Sequence, residues 1–413
     1  MENQEQVVVT GIGAVTPIGI GCDNFYTSLI SGTSGVARIT QYDPSPYKCQ
    51  IAAEVKNYDP SEYFNRKELK RMGRYSQFAL IAADEAISNA GLDFSAIDTK
   101  KTSIIVASAI GDFPMIENQI TGFIKNGPGH MSAFTVPRVS SNMASSWISL
   151  KYSIMGPGLG ISSACSTSCH SIAISYMLIK SGIADICITG GSESAITPTF
   201  VESYVALRAL STRNNEPECA SRPFDKNRNG FVIGEGAGVL ILESLSHAMH
   251  RNAHILAEIS GIGMSSDAYH ITAPHPEGLG AVLAMKQSLN DAHISILDID
   301  YINAHGTSTI WNDEVETKAI KKVFGDSSKK IPVSSIKSMI GHCISASGCL
   351  EAISSIMSLN HNIIPPTINH DCPDPHCDLD YVPNKARKKK INYIMSNSFA
   401  FGGQNCVLIF RKF

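Results

Sequence analysis

Short apolar runs rich in β-branched residues alternate along the chain with segments whose apolar residues recur every three or four positions. In 74–90, Phe78, Ala82 and Ala86 lie four residues apart and Gly91 follows as a C-cap, which predicts a helix. Strands are predicted at 7–9, 103–107, 186–189, 256–262, 301–303, 332–336 and 391–395. Further helices are predicted at 142–155, 166–180, 279–291, 314–324 and 346–359. This alternation favours α/β layers around largely buried sheets.

A short glycine motif occurs twice, each time after an apolar strand. Thr-Gly-Ile-Gly at 10–13 recurs as Ser-Gly-Ile-Gly at 260–263, which indicates a duplicated unit with a boundary near residue 255. We therefore expect two halves, 1–255 and 256–413. A dinucleotide fingerprint would need a third glycine at position 16, which is Thr16. The glycines therefore indicate tight turns or close backbone approach.

The composition describes a folded chain and excludes several classes of partner. Of 413 residues, 43% are hydrophobic and 17% charged, and the net charge of −3 provides no general attraction for nucleic acid. No apolar run reaches the ~18 residues of a membrane span, and the polar start at 1–6 lacks the apolar core of a signal peptide. The eleven cysteines are scattered without a disulfide spacing. We therefore expect a reduced, cytoplasmic protein that binds neither nucleic acid nor membrane.

Cys165 lies in a run of small residues, 162–168, that opens the predicted helix 166–180. A thiol at a helix start lies among unpaired backbone N–H groups and the positive end of the helix dipole, which stabilise a thiolate. We therefore expect the pKa of Cys165 to be lowered from about 8.5 toward neutrality. Its small neighbours leave room for a carbonyl substrate. The ordinary alternative is a buried core thiol, one of eleven cysteines.

Two histidines follow predicted strands without further apolar residues. His305 lies in Asn-Ala-His-Gly-Thr after the strand 301–303, and His342 follows the strand 332–336. Reactive side chains gather at the carboxyl ends of strands in α/β folds, so both are candidates for catalysis. The alternative for each is a hydrogen-bonded histidine without a chemical role.

Two further clusters allow more than one interpretation. The side chains that most often bind metals, histidine and cysteine, are most concentrated at His370, Cys372, His376 and Cys377. Their uneven spacing and the neighbouring prolines suit an extended loop better than a zinc site, so we expect no metal. A basic stripe comprises Arg66, Lys67, Lys70, Arg71 and Arg74. Helical spacing places most of the stripe on one face, which is either solvated or a docking surface for an acidic partner.

Taken together, these motifs resemble the β-ketoacyl-[acyl-carrier-protein] synthases of type II. The resemblance runs nearly end to end, over the segments 8–13, 221–226, 234–238, 266–270, 303–307, 337–342 and 397–403. It implies a thiolase-like fold of five αβαβα layers with two pseudo-duplicated halves, the first carrying the nucleophilic cysteine and the second the two histidines. It also implies a homodimer, or a heterodimer with a related subunit, that needs no cofactor because its substrates carry phosphopantetheine.

The resemblance assigns a role to each candidate catalytic residue. Cys165 would take an acyl group from an acyl-carrier protein, while His305 and His342 would promote decarboxylation of a malonyl-carrier thioester. The carbanion would then attack the acyl group and extend it by two carbons. Backbone N–H groups of Cys165 and Phe401 would form the oxyanion hole. Lys337, paired with Glu351 as structural support, would organise the charge.

Binding roles follow from the same resemblance. Pantetheine contacts are implied for Thr272, Thr307 and Thr309. The gate and acyl pocket would comprise Phe399, Phe401, Ile110 and Phe134. Carrier docking is implied for Arg66, Lys67, Lys70, Arg71 and Arg208.

The chain departs from the family pattern at four places. Ala400 replaces a usual glycine, Gln404 a usual threonine, Ile310-Trp311-Asn312 stands where proline and glycine are usual, and Arg138 is an unexpected charge. We expect strain at Ala400 if that position needs a positive φ. The departures suggest a specialised acyl substrate.

Three alternatives remain. A biosynthetic thiolase would need a second cysteine, for which Cys406 is the candidate. A non-catalytic chain-length subunit would lack the nucleophile, and a zinc-binding module would use the cluster at 370–377.

Overall fold

The computed structural model describes residues 5–413 of the chain. The strands are β1 Val7–Thr16, β2 Gly19–Ile20, β3 Ala37–Arg38, β4 Ile51–Ala52, β5 Thr102–Ala107, β6 Ile186–Glu193, β7 Gly236–Ser244, β8 Ala257–Ser266, β9 Tyr301–Asn303, β10 Val333–Ser334, β11 Ile363–Ile364, β12 Arg387–Lys388, β13 Tyr393–Phe399 and β14 Gln404–Arg411. The helices are α1 Cys22–Ser31, α2 Arg66–Arg71, α3 Arg74–Ala90, α4 Phe113–Asn126, α5 Thr135–Val139, α6 Met143–Tyr152, α7 Thr167–Lys180, α8 Pro198–Ala206, α9 Leu245–His250, α10 Leu279–Asp291, α11 Ile310–Phe324, α12 Lys337–Ile340 and α13 Ser347–His361.

Ten strands form one sheet, in the order β10-β9-β13-β14-β8-β1-β7-β6-β5, with the short β2 paired to β1. The sheet contains two groups of strands that meet where Val7–Val9 of β1 pairs antiparallel with Ala257–Ile259 of β8. Helices α7 and α13 contact each other and strands of both groups, so they form the central layer. Helices α3 and α6 cover the first group, and α10 with α11 covers the second. The predicted helix–sheet–helix–sheet–helix layering is confirmed.

The repeated glycine motif marks the same strand–helix contact in each group of strands. A Cβ on Gly13 would lie 1.9 Å from the carbonyl oxygen of Ala82 in α3, and a Cβ on Gly263 would lie 1.9 Å from that of Ala284 in α10. The glycines therefore let a helix backbone approach a strand closely, as the sequence indicated. The predicted boundary near residue 255 lies between α9 and β8 and stays a prediction.

Several predicted elements shift in the structure. The first strand extends to Thr16, because its small residues continue under α3. Helix α6 ends at Tyr152, since Ser153 takes a left-handed φ of 53°. The strand predicted at 332–336 is only Val333–Ser334 and is followed by the short α12. Helix α11 begins at Ile310, earlier than its apolar spacing indicated.

Within residues 5–413, no helix combines the length and apolar character needed to cross a membrane.

Candidate active site

Cys165 lies on a tight turn directly before α7. The turn is a 3₁₀ segment, Ala164–Ser166, and Ala164 has a left-handed φ of 48°. Thr167 fixes the turn, since its Oγ1 donates to the carbonyl of Ala164 at 2.8 Å and accepts from the N–H of Ser163 at 2.9 Å. A non-glycine residue with positive φ is strained, and such strain is typical of functional turns. The strained turn thereby places the Cys165 thiol at the start of α7.

The pKa of Cys165 differs from the expectation. Burial raises the pKa of this thiol to about 11, and this outweighs the lowering by the Phe401 N–H, the charge of Lys337 and the N–H of Cys165. The predicted lowering is therefore wrong, because desolvation of a side chain only 8% exposed exceeds the stabilisation at the helix start. The backbone N–H groups of Phe401 and Cys165 both oppose this rise in pKa, and the oxyanion hole assigned to them stays a prediction.

The turn before α13 repeats the geometry of the turn before α7. A 3₁₀ segment Ile344–Ala346 precedes the helix, and Ile344 has a left-handed φ of 47°. Ser345 occupies the position that corresponds to Cys165. Its hydroxyl donates to Oε2 of the buried Glu193 at 2.8 Å. The second group of strands thus carries the same turn without a free nucleophile.

His305 is held by two buried charged side chains. Its backbone N–H donates to Oε1 of Glu316 at 2.9 Å, and the N–H of Gly306 donates to Oε2 at 2.8 Å. The Nζ of Lys337 lies 2.6 Å from the His305 carbonyl oxygen and 3.2 Å from its Nδ1. Because an ammonium group only donates, Nδ1 of His305 accepts, and the ring proton is assigned to Nε2.

His342 has the same tautomer for a different reason. Its Nδ1 accepts from the backbone N–H of Ile344 at 3.2 Å and lies 2.9 Å from Oγ of Ser347. The ring proton is therefore on Nε2, a buried atom without a hydrogen-bond partner among the described residues. The rings of His305 and His342 are 5.5 Å apart and nearly perpendicular. Each ring thus has an Nε2–H available as a donor.

Both imidazoles are neutral at physiological pH. Burial, followed by the positive charge of Lys337, holds the pKa of each well below the ordinary value of 6.5, and His342 adds to this effect on His305. Uncharged donors stabilise developing negative charge without first forming an ion pair with the substrate.

Lys337 and Glu351 form a buried ion pair behind His305, and each side chain is 1% exposed. Burial raises the pKa of Glu351 to about 7, and the charge of Lys337 opposes that rise. The Lys337 ammonium thus orients His305 from within the protein, and Glu351 compensates its buried charge.

One cavity of about 410 Å³ joins most of the predicted site residues. The predicted residues that line it are Cys165, Arg208, Thr272, His305, Thr307, Thr309, His342, Phe399 and Phe401. Its wall also includes Leu207, Ile310, Trp311 and Ala400 from the segments that surround the mouth. The cavity therefore provides a route from solvent to the thiol and both imidazoles.

The comparisons with known proteins agree with this geometry. The model described as "Beta-ketoacyl synthase, N-terminal domain" matches residues 4–248, and "Beta-ketoacyl synthase, C-terminal domain" matches 256–371. The chain belongs to the β-ketoacyl synthase family. It is 46% identical over 409 residues to "3-oxoacyl-[acyl-carrier-protein] synthase 2" of Coxiella burnetii, covering 99% of each chain.

Solved structures of ketosynthases have the same fold. One is a type II PKS acyl-carrier protein in complex with its ketosynthase bound to the hexaketide, with a TM-score of 0.93, 34% identity and full coverage of both chains. The other is the ishigamide ketosynthase/chain length factor, with a TM-score of 0.93, 34% identity and coverage of 99% and 100%. The family and the thiolase-like fold implied by the sequence are thereby confirmed.

Two predicted pocket residues of this β-ketoacyl synthase lie elsewhere. The N–H of Ile110 donates to Oγ of Ser108 at 3.3 Å, and Ile110 does not line the cavity of the single chain. The half-buried ring of Phe134 lies under the guanidinium of Arg71, 5.7 Å from its centre, and is also outside the cavity. Their acyl-pocket role stays a prediction.

The basic stripe divides into two parts. Arg66, Lys67, Lys70 and Arg71 are exposed on α2, as a docking surface requires. Arg74 begins a different helix, α3, and is half-buried, because it pairs with buried Glu235 at 2.7 Å. Its expected place on the same exposed face is therefore wrong. The docking role of the remaining stripe stays a prediction.

Two of the departures from the family pattern, Ala400 and Arg138, have local explanations. Ala400 has no positive φ, since the left-handed positions of its turn are Gly402 (88°) and Gly403 (76°), so the expected strain is absent. Arg138 pairs with buried Asp112 at 2.7 Å and joins the start of α4 to α5. These two substitutions are compatible with an intact site.

The alternative sites remain separate from the cavity. Cys406, the candidate second cysteine of a thiolase, is fully buried on β14, where burial and then Cys169 raise its pKa. It does not line the cavity. In the described part of the chain, no three His, Cys, Asp or Glu side chains, including those at 370–377, are arranged to hold a metal ion.

Two buried carboxylates were missed by the sequence analysis. Glu316 holds the His305 loop, and Asp313 accepts from the N–H of Thr307 at 3.0 Å and from that of Phe224 at 2.8 Å. The sequence did contain a sign of their burial. Asp313 and Glu316 are three residues apart and fall on the same helix face as the apolar Ile320 of α11. Acidic residues on such a face indicate buried hydrogen-bond acceptors.

Proposed function

We propose that this protein catalyses decarboxylative condensation of an acyl group with malonyl-acyl-carrier protein, giving a β-ketoacyl-carrier protein and carbon dioxide. The observation that carries the proposal is the convergence of one thiol, two backbone N–H donors and two imidazole N–H donors on a single cavity. No metal or cofactor is needed for this chemistry, since the side chains supply the nucleophile and the donors. Phosphopantetheine enters with the substrates.

The acyl group is transferred first. The Cys165 sulfur attacks the carrier thioester carbonyl, and the N–H groups of Cys165 and Phe401 stabilise the oxyanion. Collapse of this intermediate breaks the carbon–sulfur bond to the carrier. The proton of the Cys165 thiol leaves with the carrier thiolate as a free carrier thiol. Because burial raises the pKa of Cys165, the thiol must lose this proton during the transfer.

Decarboxylation follows at the histidines. When malonyl thioester loses carbon dioxide, the bonding electrons form an enolate whose charge resides on the thioester oxygen. The Nε2–H groups of His305 and His342 stabilise this charge, each by about 3 kcal/mol. The enolate carbon attacks the acyl carbonyl on Cys165, and collapse breaks the carbon–sulfur bond and releases the Cys165 thiolate, which takes a proton from solvent.

Lys337 and Glu351 position this machinery without contacting the reacting atoms. The Lys337 ammonium binds Nδ1 and the carbonyl of His305, and Glu351 neutralises it inside the protein. Removing either partner leaves an uncompensated buried charge.

Substrates are delivered by acyl-carrier protein. The exposed cations of α2 and Arg208, which lines the cavity, suit an acidic carrier. The hydroxyl oxygens of Thr307 and Thr309 are 2.8 Å apart, and both residues line the same cavity as Cys165. The carrier-bound ketosynthase and the ketosynthase/chain length factor support carrier docking and a dimer with an identical or related subunit. We retain 1–255 and 256–413 as the proposed halves.

Intact mass after incubation with acyl-carrier protein tests the function. Wild type and Cys219→Ala, which removes an exposed cysteine, should gain the acyl mass. Cys165→Ala should gain none and should form no β-ketoacyl product with malonyl-carrier protein. Acylation of Cys165→Ala would overturn the proposal. Condensation of coenzyme A thioesters without carbon dioxide release would establish a thiolase, and absence of any acyl adduct would establish a non-catalytic subunit.

A further inference from the structure

A surface recess far from Cys165 has no part in the proposed reaction. It has a volume of about 700 Å³, and its lining residues are His361, Asn362, Lys388, Lys389, Lys390, Asn392 and Lys412. We call this feature the lysine recess. Helix α13 begins at Ser347, which contacts His342, and ends at His361 in the recess. The recess therefore lies at the opposite end of α13 from the imidazoles, about 20 Å along the helix.

The lysine recess concentrates positive charge. Four lysines line it, and no aspartate or glutamate does. Lys388, Lys390 and Lys412 are exposed, and none of the lysine ion pairs within residues 5–413 includes them. Ammonium groups held close together repel one another, although the chain as a whole has a net charge of −3. An anion in the recess would relieve this repulsion.

Neighbouring negative charge compensates only part of the cluster. The Asp300 carboxylate accepts from the backbone N–H of Asn392 at 2.7 Å, and Nζ of Lys389 donates to the Asp300 carbonyl oxygen at 2.6 Å, so this acid lies beside one lysine. Asp380 is paired with Arg387 instead. The carboxyl end of α13 adds about half a negative charge. These contributions are smaller than the charge of four ammonium groups, so the recess keeps a net positive charge.

The walls of the recess are fixed by hydrogen bonds between the segments that form it. The backbone N–H of Lys389 donates to the Asn362 carbonyl at 3.0 Å, and the N–H of Ile391 donates to Oδ1 of Asn362 at 3.0 Å. The N–H of Lys412 donates to the Asn392 carbonyl at 2.9 Å. Because the backbone is already in place, a ligand has only to order lysine side chains, which lowers the entropic cost of binding.

We propose that the lysine recess binds a small polyanion of linked phosphate groups, either an inorganic polyphosphate or the phosphate arm of a nucleotide. Linked phosphates carry several negative charges within a short span, which matches ammonium groups that line one recess. Lysine binds phosphate as a point charge. The side-chain amide of Asn362 accepts through Oδ1, so its NH₂ group is available to donate to a phosphate oxygen. A concave site suits such a compact ligand.

Isothermal titration calorimetry of the full chain with inorganic tripolyphosphate tests the site. Wild type should bind saturably, and more weakly as the salt concentration rises. Lys388→Gln/Lys390→Gln should weaken binding by about tenfold or more, because two ammonium groups are lost. Lys388→Arg/Lys390→Arg keeps the charge and should retain most of the affinity. The matched control is Lys329→Gln/Lys330→Gln, which removes the same charge from two exposed lysines outside the recess and should bind as wild type does.

A parallel titration with ATP distinguishes the two sources of linked phosphate. Equal affinity for ATP and tripolyphosphate would support recognition of the phosphates alone, and tighter binding of ATP would support a nucleotide.

Other outcomes overturn the inference. These are no saturable binding by wild type, equal affinity of wild type and Lys388→Gln/Lys390→Gln, or an equal loss in the control variant. Binding only to anionic lipid vesicles or to acyl-carrier protein would assign the recess to a macromolecule and also overturn it. Circular dichroism of each variant confirms folding. Because none of these measurements involves condensation, their result is independent of the proposed function.

Discussion

The Nζ of Lys337 lies 3.2 Å from Nδ1 of His305, and this contact determines which ring nitrogen of His305 carries the proton. Lys337→Met should lower kcat for decarboxylation of malonyl-carrier protein about a hundredfold, because the Nε2–H donor is no longer fixed. Acylation of Cys165 should be affected much less. The two half-reactions are measured separately, as carbon dioxide release and as intact mass. Lys329→Met, at a 70% exposed lysine, is the control. Equal losses in both half-reactions would contradict a positioning role confined to His305.

His342 should contribute to decarboxylation as a single hydrogen-bond donor. His342→Ala removes the Nε2–H and should reduce the rate of carbon dioxide release by about 10²–10³-fold. Transfer of an acyl group to Cys165 should persist, since the oxyanion hole proposed for that step consists of backbone N–H groups. Single-turnover acylation and carbon dioxide release provide the two rates. Loss of acylation to the same extent would show that His342 also serves the first step.

Reactivity of Cys165 should depend steeply on pH above neutrality. Because burial raises the pKa of this thiol to about 11, the thiolate fraction increases about tenfold for each pH unit between 7 and 9. Alkylation by iodoacetamide, followed by peptide mass spectrometry, should show this slope. Cys219, which is exposed, reports the quality of the labelling in the same sample. A rate that is already level between pH 7 and 9 would contradict the raised pKa.

Close contact between strand and helix should make Gly263 intolerant of substitution. Gly263→Ala places a Cβ 1.9 Å from the carbonyl oxygen of Ala284, so α10 must move, and the free energy of unfolding should fall by about 3 kcal/mol. Gly122→Ala is the control, since this position in α4 has no atom within 4 Å of an added Cβ. It should be neutral or stabilise by about 0.5–1 kcal/mol. Urea denaturation measures both values.

The substituted cavity wall should favour a specialised acyl group. Ala400 and Trp311 both line the cavity and both depart from the family pattern. A panel of acyl-carrier proteins, read as the mass on Cys165, should show preference for an acyl group other than a plain saturated chain. A preference for saturated C6–C16 chains would contradict this prediction.

Local sequence signals predicted much of the fold and site. The glycines at 11–13 and 261–263 predicted duplication, because a helix backbone packs so closely on each strand that only glycine fits at these positions. Cys165 and His305 were predicted because a helix start and a strand end are visible in the apolar pattern. Long-range contacts were not predictable. The pKa of Cys165 depends on desolvation by the whole site, and Arg138 was explained only by its distant partner Asp112.

The matching turns at Cys165 and Ser345 have a consequence for how the reaction centre tolerates change. Both turns have the same geometry, but the hydroxyl of Ser345 donates to Glu193, whereas Cys165 lines the cavity. The two groups of strands therefore carry different parts of the site: the first carries the nucleophilic sulfur, and the second carries both imidazoles. Neither group of strands can replace the side chains that the other supplies, so loss of the thiol or of the imidazoles should abolish condensation.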